Sequence, residues 1–420
     1  MADLGSRPDP ARPLAEWPAR CAPAWFAGVP VLVCGLGASG RAAAAHLAAF
    51  GADVLACDDA ANLDVSGLLA AGVKTQLGGA AVELLDGRRL VVTAPGVPER
   101  HPLLQAALAA GVPVWSEVEL AARLSSIPMV GVTGTNGKTT TAELAAAMLS
   151  ASGLRTVAAG NVGTPLIDAA LAAPAPEALV VELSSFQLRF THSLRLAAGA
   201  WLNFAPDHLD WHPDLASYAA AKARIWANQT ADDWSVYAAD DPVVAANAAH
   251  AAGTPVPFTL GRAAPGGLGV EAGVAVSRIP RLEGGLWRAA ALRLPGRHNL
   301  ANALAASALA LALGAHPAAM ARAVAAFRAR PHRLTSVGEI RGVSFVDDSK
   351  ATNPHAVLAA LEGLSGVALI AGGLAKGVDL SPLARAAPRL AGVVAIGGAA
   401  PELVAIFEGA VPVRKAGSME

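Results

Sequence analysis

The chain has 420 residues, enough for about two to four domains, and its formal net charge of −1 argues against nucleic acid as the main partner. Hydrophobic residues make up 54% of the chain, largely through alanine, and no run of about 20 large apolar residues indicates a membrane span. The cysteines lack metal-ligand spacing, so we expect reduced thiols in a soluble, cytoplasmic protein without a membrane partner.

Residues 1–28 are rich in Pro, Ala and Arg and are predicted to form a loose N-terminal arm. A first αβ block follows, with a strand at 29–34, a glycine turn and an alanine-rich helix. Its next strands end at Asp58–Asp59 and at the sequence APGVP. Strands that alternate with helices predict a parallel sheet.

The glycine turn of this block has the spacing Gly35-x-Gly37-x-x-Gly40 after a strand, with an acid about 20 residues further on. This pattern is typical of dinucleotide binding and, taken alone, suggests NAD. The same turn can hold the diphosphate of any nucleotide, and a purely structural glycine turn also fits.

A second block opens with MVGVTGTNGKTTTAEL, residues 129–144, in which an apolar strand enters a glycine-rich turn and a helix follows. Backbone N–H groups of such a turn bind phosphate oxygens, Lys138 would reach the outer phosphates, and the Thr139 hydroxyl would bind Mg²⁺. Val132 stands where the common phosphate loop has glycine. An ordinary glycine turn with a surface lysine is the alternative, but the order of elements predicts a nucleoside triphosphate site.

Acidic side chains follow two later strands of the second block. Glu182 ends the apolar run 179–181, where it could hold Mg²⁺ or a water, or could simply cap its own helix. The sequence DHLDWH could supply hard ligands for Mg²⁺ or could be a solvated polar loop; its polar members are Asp207, His208, Asp210 and His212.

Two further polar residues of the second block allow different interpretations. Lys222 lies among alanines on a predicted helix, and its spacing alone favours a solvated lysine. Asn299 in RHNLANA could bind a nucleotide base or could cap its helix.

The third block begins near residue 330 and carries polar residues after its strands. The sequence DDSKATN places Asp348, Lys350 and Thr352 after one strand, and GGLAKG places Lys376 after a later one. Two lysines at strand ends in one domain suggest an anionic second substrate.

The chain resembles the Mur ligases, because seven motifs occur in the order found in that family: GTNGKTT, ELSSFQL, DHLDWH with YAAAK, GRHNLANALAA, PHRL, DDSKATNPHA and GGLAKG. The match extends from about residue 29 to the end of the chain. ELSSFQL and DDSKATN resemble the members of the family that add D-glutamate.

The resemblance implies an α/β protein of three domains, each built on a mostly parallel sheet. The expected units are the arm at 1–28, a UDP-substrate domain at 29–127, a central ATP-binding domain at 128–329 and an amino-acid domain at 330–420. The implied reaction is ATP-driven amide formation through an acyl phosphate, in peptidoglycan precursor synthesis. Its small-molecule substrates would be UDP-N-acetylmuramoyl-L-alanine and D-glutamate, and we expect a monomer.

The resemblance also assigns site residues. The expected ATP contacts are Gly134, Thr135, Asn136, Gly137, Lys138, Thr139, Thr140, Asn299, Asn302, Arg333 and Asp348. The expected UDP-substrate contacts are Gly37, Ala38, Ser39, Asp58, Asp59, Asn161 and His208. The expected D-glutamate contacts are Lys350, Thr352 and Lys376.

The same resemblance implies which residues take part in catalysis and metal binding. Lys138, Glu182, His208 and Lys222 are expected to be catalytic. Lys222 matches a lysine that is carbamylated in this family, which would turn a cation into an oxygen ligand. We expect two Mg²⁺ ions, and their ligands would be Thr139, Glu182, His208 and the carbamate of Lys222.

The chain departs from the family pattern at its end and at Leu374, where some relatives carry an acid. The family continues past this point, so we expect an incomplete third domain. Another Mur-type ligase and a nucleotide-binding protein with impaired catalysis are the alternatives. An NAD oxidoreductase ranks last because it leaves the triphosphate site unexplained.

Overall fold

The computed structural model describes residues 16–328, 330–375 and 377–418. The elements form three successive blocks in which strands and helices mostly alternate, apart from consecutive strands within residues 254–288, consecutive helices within 297–326 and a hairpin at 335–347. Short 3-10 helices lie between them at Pro23–Phe26, Val82–Leu85, Arg224–Trp226, Ala289–Ala291 and Ser381–Arg389.

The first block is a parallel sheet with the described strand order β3-β2-β1-β4-β5. Its strands are β1 (Pro30–Cys34), β2 (Asp53–Asp58), β3 (Lys74–Leu77), β4 (Leu90–Thr93) and β5 (Val114–Ser116). Its helices are α1 (Ala38–Ala49), α2 (Ser66–Ala70), α3 (Pro102–Ala109) and α4 (Glu117–Leu124). The central strands β1 and β4 are nearly continuous apolar runs because helices cover both faces of a parallel sheet.

The described part of the predicted N-terminal arm is packed. Trp17, Trp25 and Phe26 are buried, and the two tryptophan rings meet edge to face with their centres 6.0 Å apart. The guanidinium of Arg123 donates to the carbonyls of Trp17 and Pro18. The prediction of a loose arm is therefore wrong for residues 16–28, because these aromatic side chains gain more by burial than the Pro- and Ala-rich composition suggests. Residues 1–15 lie outside the described part.

The second block is a larger sheet with the described order β14-β13-β12-β11-β10-β9-β6-β8-β7. Its strands are β6 (Met129–Thr133), β7 (Thr156–Gly160), β8 (Ala178–Glu182), β9 (Ala198–Trp201), β10 (Trp234–Ala238), β11 (Thr254–Phe258), β12 (Leu268–Glu271), β13 (Val274–Ser277) and β14 (Gly284–Arg288). Its helices are α5 (Lys138–Ala151), α6 (Leu166–Ala170), α7 (Ser185–Arg189), α8 (Leu215–Ala223), α9 (Pro242–Ala248), α10 (Arg297–Ala312) and α11 (Pro317–Ala326).

Strand β6 runs parallel to both of its neighbours, β8 and β9, while β12, β13 and β14 pair antiparallel at one edge. The carboxyl ends of β6, β8 and β9 therefore meet at one edge of the sheet. In open α/β sheets, ligands bind beyond these strand ends.

Helix α4 joins the first block to the second through buried acids. The carboxylate of Glu119 pairs with Arg123 at 2.7 Å and accepts backbone N–H groups of His192, Ser193 and Leu194. The carboxyl of Glu117 accepts the N–H of Ile167 at 2.6 Å. The charge-assisted bonds of Glu119 and the bond of Glu117 connect the two sheets through α4.

The third block contains two sheets in the described residues instead of the single sheet that the sequence predicts. Strands β15 (Thr335–Ile340) and β16 (Val343–Asp347) form an antiparallel hairpin. Helix α12 (Pro354–Ala360) follows, and β17 (Val367–Gly372), β18 (Leu390–Ile396) and β19 (Val413–Ala416) form a parallel sheet with α13 (Ala400–Phe407) packed against it. Apolar side chains on β15 to β17 are exposed, among them Val337 at 69%, Phe345 at 49% and Ile370 at 53%.

The sheets follow the predicted block order, with β6 starting just after the boundary expected at 127. The exact domain limits stay a prediction. Within the described ranges, none of the helices combines the length and the apolar character that crossing a bilayer requires.

Candidate active site

The predicted phosphate turn connects β6, an interior strand of the second sheet, to α5. Gly137 precedes α5 with a φ of 88°, in the left-handed region that favours glycine. A Cβ atom at Gly137 would lie 2.2 Å from Oδ1 of Asn302, so a larger residue would displace the Asn302 side chain as well as strain the backbone. Asn203 at the end of β9 holds the turn, since its Oδ1 accepts the N–H of Asn136 and its Nδ2 donates to the Asn136 carbonyl.

Two lysine amines converge on this turn. Nζ of Lys138 donates to the carbonyl oxygens of Gly134 and Thr135 at 2.9 and 3.0 Å. Nζ of Lys222 donates to the same Gly134 carbonyl at 2.8 Å and lies 4.5 Å from the centre of the Tyr218 ring. Lys222 is 1% exposed, which excludes the solvated lysine that its spacing alone favours.

Burial and a neighbouring positive charge lower the pKa of both amines, the neighbour being Lys138 for Lys222 and Arg333 for Lys138. Desolvation lowers the pKa of Lys222 well below its usual value, and the positive charge of Lys138 lowers it further. Desolvation also lowers the pKa of Lys138, against the opposing charges of Glu182 and Asp207. A negatively charged ligand would relieve this repulsion, so the donor set fits a polyphosphate.

The carboxylates at this edge are Glu182 and Asp207. Oε1 of Glu182 accepts a hydrogen bond from Nδ2 of Asn161 at 3.0 Å. This bond joins a predicted metal ligand to a residue predicted to bind the UDP substrate. Among the described residues, no group of three or more His, Cys, Asp or Glu side chains could hold a metal ion alone. The oxygen ligands Glu182 and Thr139 fit Mg²⁺ that also binds phosphate oxygens.

His208 lies beside Asp207 in a strained backbone conformation, with a φ of 55°. Its ring meets Phe186 edge to face at 4.8 Å, and its Nε2 is 3.7 Å from the Asp207 carboxylate. Desolvation is the main cause that lowers the pKa of His208; the charge of Asp207 opposes this shift, and the charges of Lys138 and Lys222 add to it. The imidazole is therefore neutral at pH 7 and can act as a ligand.

The other residues of DHLDWH are used differently. His212 is buried, and its Nε2 is 2.9 Å from the Ser185 hydroxyl. Burial lowers the pKa of His212 to about 4, with help from the charge of Lys222. The carbonyl of Asp210 accepts a bond from Arg100, which ties this loop to the first block.

The residues predicted to contact the adenosine side of ATP lie in two places. Asn299 and Asn302 lie near the start of α10, and Arg333 and Asp348 lie in the third block. Nδ2 of Asn299 donates to the Pro295 carbonyl, and Nδ2 of Asn302 donates to Oδ1 of Asn299. Asn299 lies inside α10 and does not cap it, because Gly296 holds the capping position. Nη2 of Arg333 donates to the Thr139 hydroxyl at 3.3 Å, which links the third block to the phosphate turn.

Asp348 has a local role in the structure. Its Oδ1 accepts the N–H of Leu334 at 3.0 Å. Burial raises the pKa of Asp348, although that bond and the charge of Arg333 oppose the shift. The carboxylate thus orders the segment that carries Arg333.

The predicted D-glutamate residues lie on the segment after β16. Lys350 and Thr352 are exposed, and the backbone N–H of Lys350 donates to the His332 carbonyl. Lys376 lies outside the described residues.

The glycine turn of the first block follows β1, and Gly37 caps α1, so that Ala38 and Ser39 form its first turn. A Cβ atom at Gly40 would lie 1.8 Å from the Gly35 carbonyl oxygen, so this turn requires glycine. Oδ2 of Asp58 accepts the N–H of Leu36 at 2.6 Å and fixes the turn.

The neighbouring acid Asp59 is exposed at the same edge of the first sheet. It accepts the N–H of Ala80 at 3.1 Å and pairs with Nε2 of His101 at 3.2 Å. The site residues of the first block therefore lie together at its carboxyl edge.

Sequence reasoning missed Asn203, Tyr218 and Asn353. The Tyr218 hydroxyl lies 3.3 Å from that of Thr135, and Asn353 touches both Asn136 and Asp207. The motif DDSKATNPHA contains Asn353 directly before a proline, a spacing typical of a helix cap, but nothing local indicates its distant contacts.

Two family profiles match the chain. The Mur ligase middle domain matches residues 132–310, and the MurD-like N-terminal domain of Mur ligases matches residues 30–116. The UDP-N-acetylmuramoylalanine–D-glutamate ligase of Frankia casuarinae is 47% identical, over 94% of this chain and 85% of that protein. The enzyme of the same name from Mycobacterium avium is 46% identical, over 88% of this chain and 76% of that protein.

Solved structures share the fold at low sequence identity. MurF from Acinetobacter baumannii superposes with a TM-score of 0.59 at 19% identity, over 94% of this chain and 83% of that one. The UDP-N-acetylmuramate–alanine ligase from Thermotoga maritima gives a TM-score of 0.58 at 19% identity, over 92% of this chain and 90% of that one.

Proposed function

The chain belongs to the Mur ligase family, and we propose that it uses ATP to join D-glutamate to UDP-N-acetylmuramoyl-L-alanine. The observation that carries this proposal is the convergence of Lys138 and Lys222 on the Gly134 carbonyl, in a chain 47% identical to a D-glutamate ligase. The reaction would supply peptidoglycan precursors in the cytoplasm, and we propose a monomer.

The arrangement suits activation of a carboxylate. A carboxylate and an amine do not condense in water, so the carboxylate must first become a mixed anhydride with phosphate. Two anions must then approach each other, and cations must neutralise them. Lys138 and the N–H groups of the turn 134–140 would hold the phosphates of ATP.

Mg²⁺ would supply Lewis-acid charge between the phosphates and the substrate carboxylate. We propose two ions, held by Thr139, Glu182, His208 and a carbamate on Lys222. Carbamate formation requires a neutral amine to attack CO₂, and burial beside Lys138 favours the neutral amine. The new N–C bond forms as the amine loses a proton, and the product is an anionic oxygen ligand.

The adenosine side would be bound by Asn299, Asn302, Arg333 and Asp348. The uridine nucleotide would lie on the carboxyl edge of the first sheet, at Gly37, Ala38, Ser39, Asp58 and Asp59. Asn161 and His208 would bind the muramoyl part. Lys350, Thr352 and Lys376 would hold D-glutamate so that its amine attacks the activated carbonyl, a step in which positioning supplies much of the rate.

The test is product formation by the purified chain with ATP, Mg²⁺, UDP-N-acetylmuramoyl-L-alanine and D-glutamate, followed by mass spectrometry. We expect ADP release only when the UDP substrate is present, and an adduct with D-glutamate but not with L-glutamate. As a control, UDP-N-acetylmuramate with L-alanine should give no product. Product only in that control reaction would move the chain to another branch of the family.

A further inference from the structure

Asn353 caps helix α12 of the third block and is 6% exposed. Its Oδ1 accepts the N–H of Ala356 at 2.9 Å and Nδ2 of Asn136 at 3.2 Å. Its Nδ2 donates to Oδ1 of Asn136 at 3.1 Å and to Oδ2 of Asp207 at 3.0 Å. One amide can accept two and donate two hydrogen bonds, so every position of this side chain is used.

The chemistry of the neighbours fixes the orientation of this amide. The oxygen must face the N–H of Ala356, and the NH₂ group must face the Asp207 carboxylate, because the reverse would oppose donor to donor and acceptor to acceptor. Serine or aspartate could replace Asn353 as a cap, but aspartate has no donor for Asp207, and serine has a single O–H on a shorter side chain in place of the two N–H donors that contact Asn136 and Asp207. The capping and bridging roles can therefore be separated by mutation.

The segments that Asn353 joins carry the chemistry of the proposed site. Asn136 lies in the phosphate turn, and Asp207 directly precedes His208. His355, two residues after Asn353, also contacts Asn136, with its Nδ1 3.0 Å from Nδ2 of the amide. The same docking brings Arg333 of the third block to the Thr139 hydroxyl.

We propose that Asn353 is a positioning residue that couples docking of the third block to assembly of the phosphate site. This inference rests on the proposed ligase function. When the third block docks, the Asn353 amide fixes the phosphate turn relative to the loop of Asp207 and His208, and Arg333 reaches the turn in the same step.

The test compares Asn353→Ser and Asn353→Asp, which keep the cap, with Asn353→Ala, which loses it. The first readout uses hydroxylamine as the amine, so that ATP and UDP-N-acetylmuramoyl-L-alanine give a hydroxamate, ADP and phosphate without D-glutamate. We expect all three variants to lose kcat by about 10-fold or more, with the KM for the UDP substrate within about twofold. Asn353→Ala should lower the Tm by about 2–4 °C more than Asn353→Ser, because only alanine removes the cap, whereas Asn353→Asp keeps the cap but sets a second carboxylate against Asp207.

A double-mutant cycle with Asn136→Ala tests whether the two amides act together. If they do, the double variant loses no more kcat than the worse single variant. Wild-type kcat in Asn353→Ser, or losses that multiply in the double variant, would overturn the proposal and leave Asn353 as a helix cap.

A second readout needs no catalysis, so it separates failure of this inference from failure of the proposed function. Spin labels on cysteines introduced at the exposed positions Ala249 and Glu408 report the distance between the second and third blocks. We expect one dominant distance in the parent chain and a broader distribution in Asn353→Ser. An unchanged distribution would show that Asn353 does not hold the third block in place.

Discussion

Lys222 is the residue on which the proposed chemistry depends most. Its amine is buried, lies against the Tyr218 ring and shares the Gly134 carbonyl with Lys138. A charged ammonium in this position is disfavoured by desolvation and by the neighbouring lysine. A carbamate would replace that repulsion with attraction to Lys138 and to Mg²⁺.

We predict that Lys222→Ala is inactive and that a small added carboxylate such as acetate restores part of its activity. The carboxylate would occupy the space that the side chain leaves and supply the missing oxygen ligand. The measurement is ADP release against carboxylate concentration. Lys138→Ala serves as the control because its lost group is a cation, and acetate should not rescue it. Full activity of Lys222→Ala without acetate would refute the carbamate role.

For Lys138, we predict that substitution by alanine lowers acyl phosphate formation about 100-fold or more, because a positive charge at the transferred phosphate is lost. Binding of the UDP substrate should change by less than about 10-fold, since its proposed contacts lie mainly in the first block. Hydroxamate formation and calorimetric titration measure the two effects, with the exposed Lys74→Ala as a matched control. Equal losses in both would contradict the assignment.

How well the sequence predicts each of these residues depends on whether its contacts are near or distant along the chain. Lys138 and Thr139 are indicated by a strand, turn and helix within a few residues, so their place could be predicted locally. Lys222 could not, because its burial depends on the distant phosphate turn. The contact between Asn353 and Asn136 joins residues 217 apart in sequence, and no local pattern indicates it.

At the scale of elements, the junction of α4 and α6 carries a buried acid. Oε1 of Glu117 accepts the N–H of Ile167, whereas its Oε2 is buried without a hydrogen-bond partner among the described residues. Desolvation raises the pKa of Glu117 to about 7, and the charge of Asp168 adds to this, while the bond from Ile167 opposes it. Asp168 itself lies 2.9 Å from Nε2 of His46.

Titration of Glu117 at this junction should make the free energy of unfolding depend on pH. Between an ordinary glutamate pKa of about 4.5 and the folded pKa of about 7, the folded chain binds a proton at Glu117 that the unfolded chain has released. The free energy of unfolding should therefore fall as pH rises through this window, by on the order of 3 kcal/mol in total, and then level off.

We predict that Glu117→Gln removes this component, so that the wild-type minus variant difference in unfolding free energy decreases as pH rises from about 5 to about 7. Urea unfolding at several pH values measures it, and the exposed Glu283→Gln controls for the loss of one charge. A difference that is flat with pH would show that Glu117 titrates normally.

At the scale of the whole molecule, the third block differs from the other two. The hairpin β15–β16 and the sheet β17–β19 are separate in the described residues, and apolar side chains of β15 to β17 are exposed. The α/β order of the three blocks could be predicted from alternating strand and helix patterns. The separation of these sheets could not, because it depends on which strand edges pair.

The central claim is that the chain transfers a phosphoryl group from ATP to the substrate carboxylate at the turn 134–140. The most direct measurement uses UDP-N-acetylmuramoyl-L-alanine with ¹⁸O at both oxygens of its carboxylate, together with ATP, Mg²⁺ and D-glutamate or hydroxylamine. If an acyl phosphate forms, each turnover leaves one ¹⁸O in the released phosphate, which mass spectrometry detects. Phosphate released without ¹⁸O, while the amide or hydroxamate still forms, would contradict the claim.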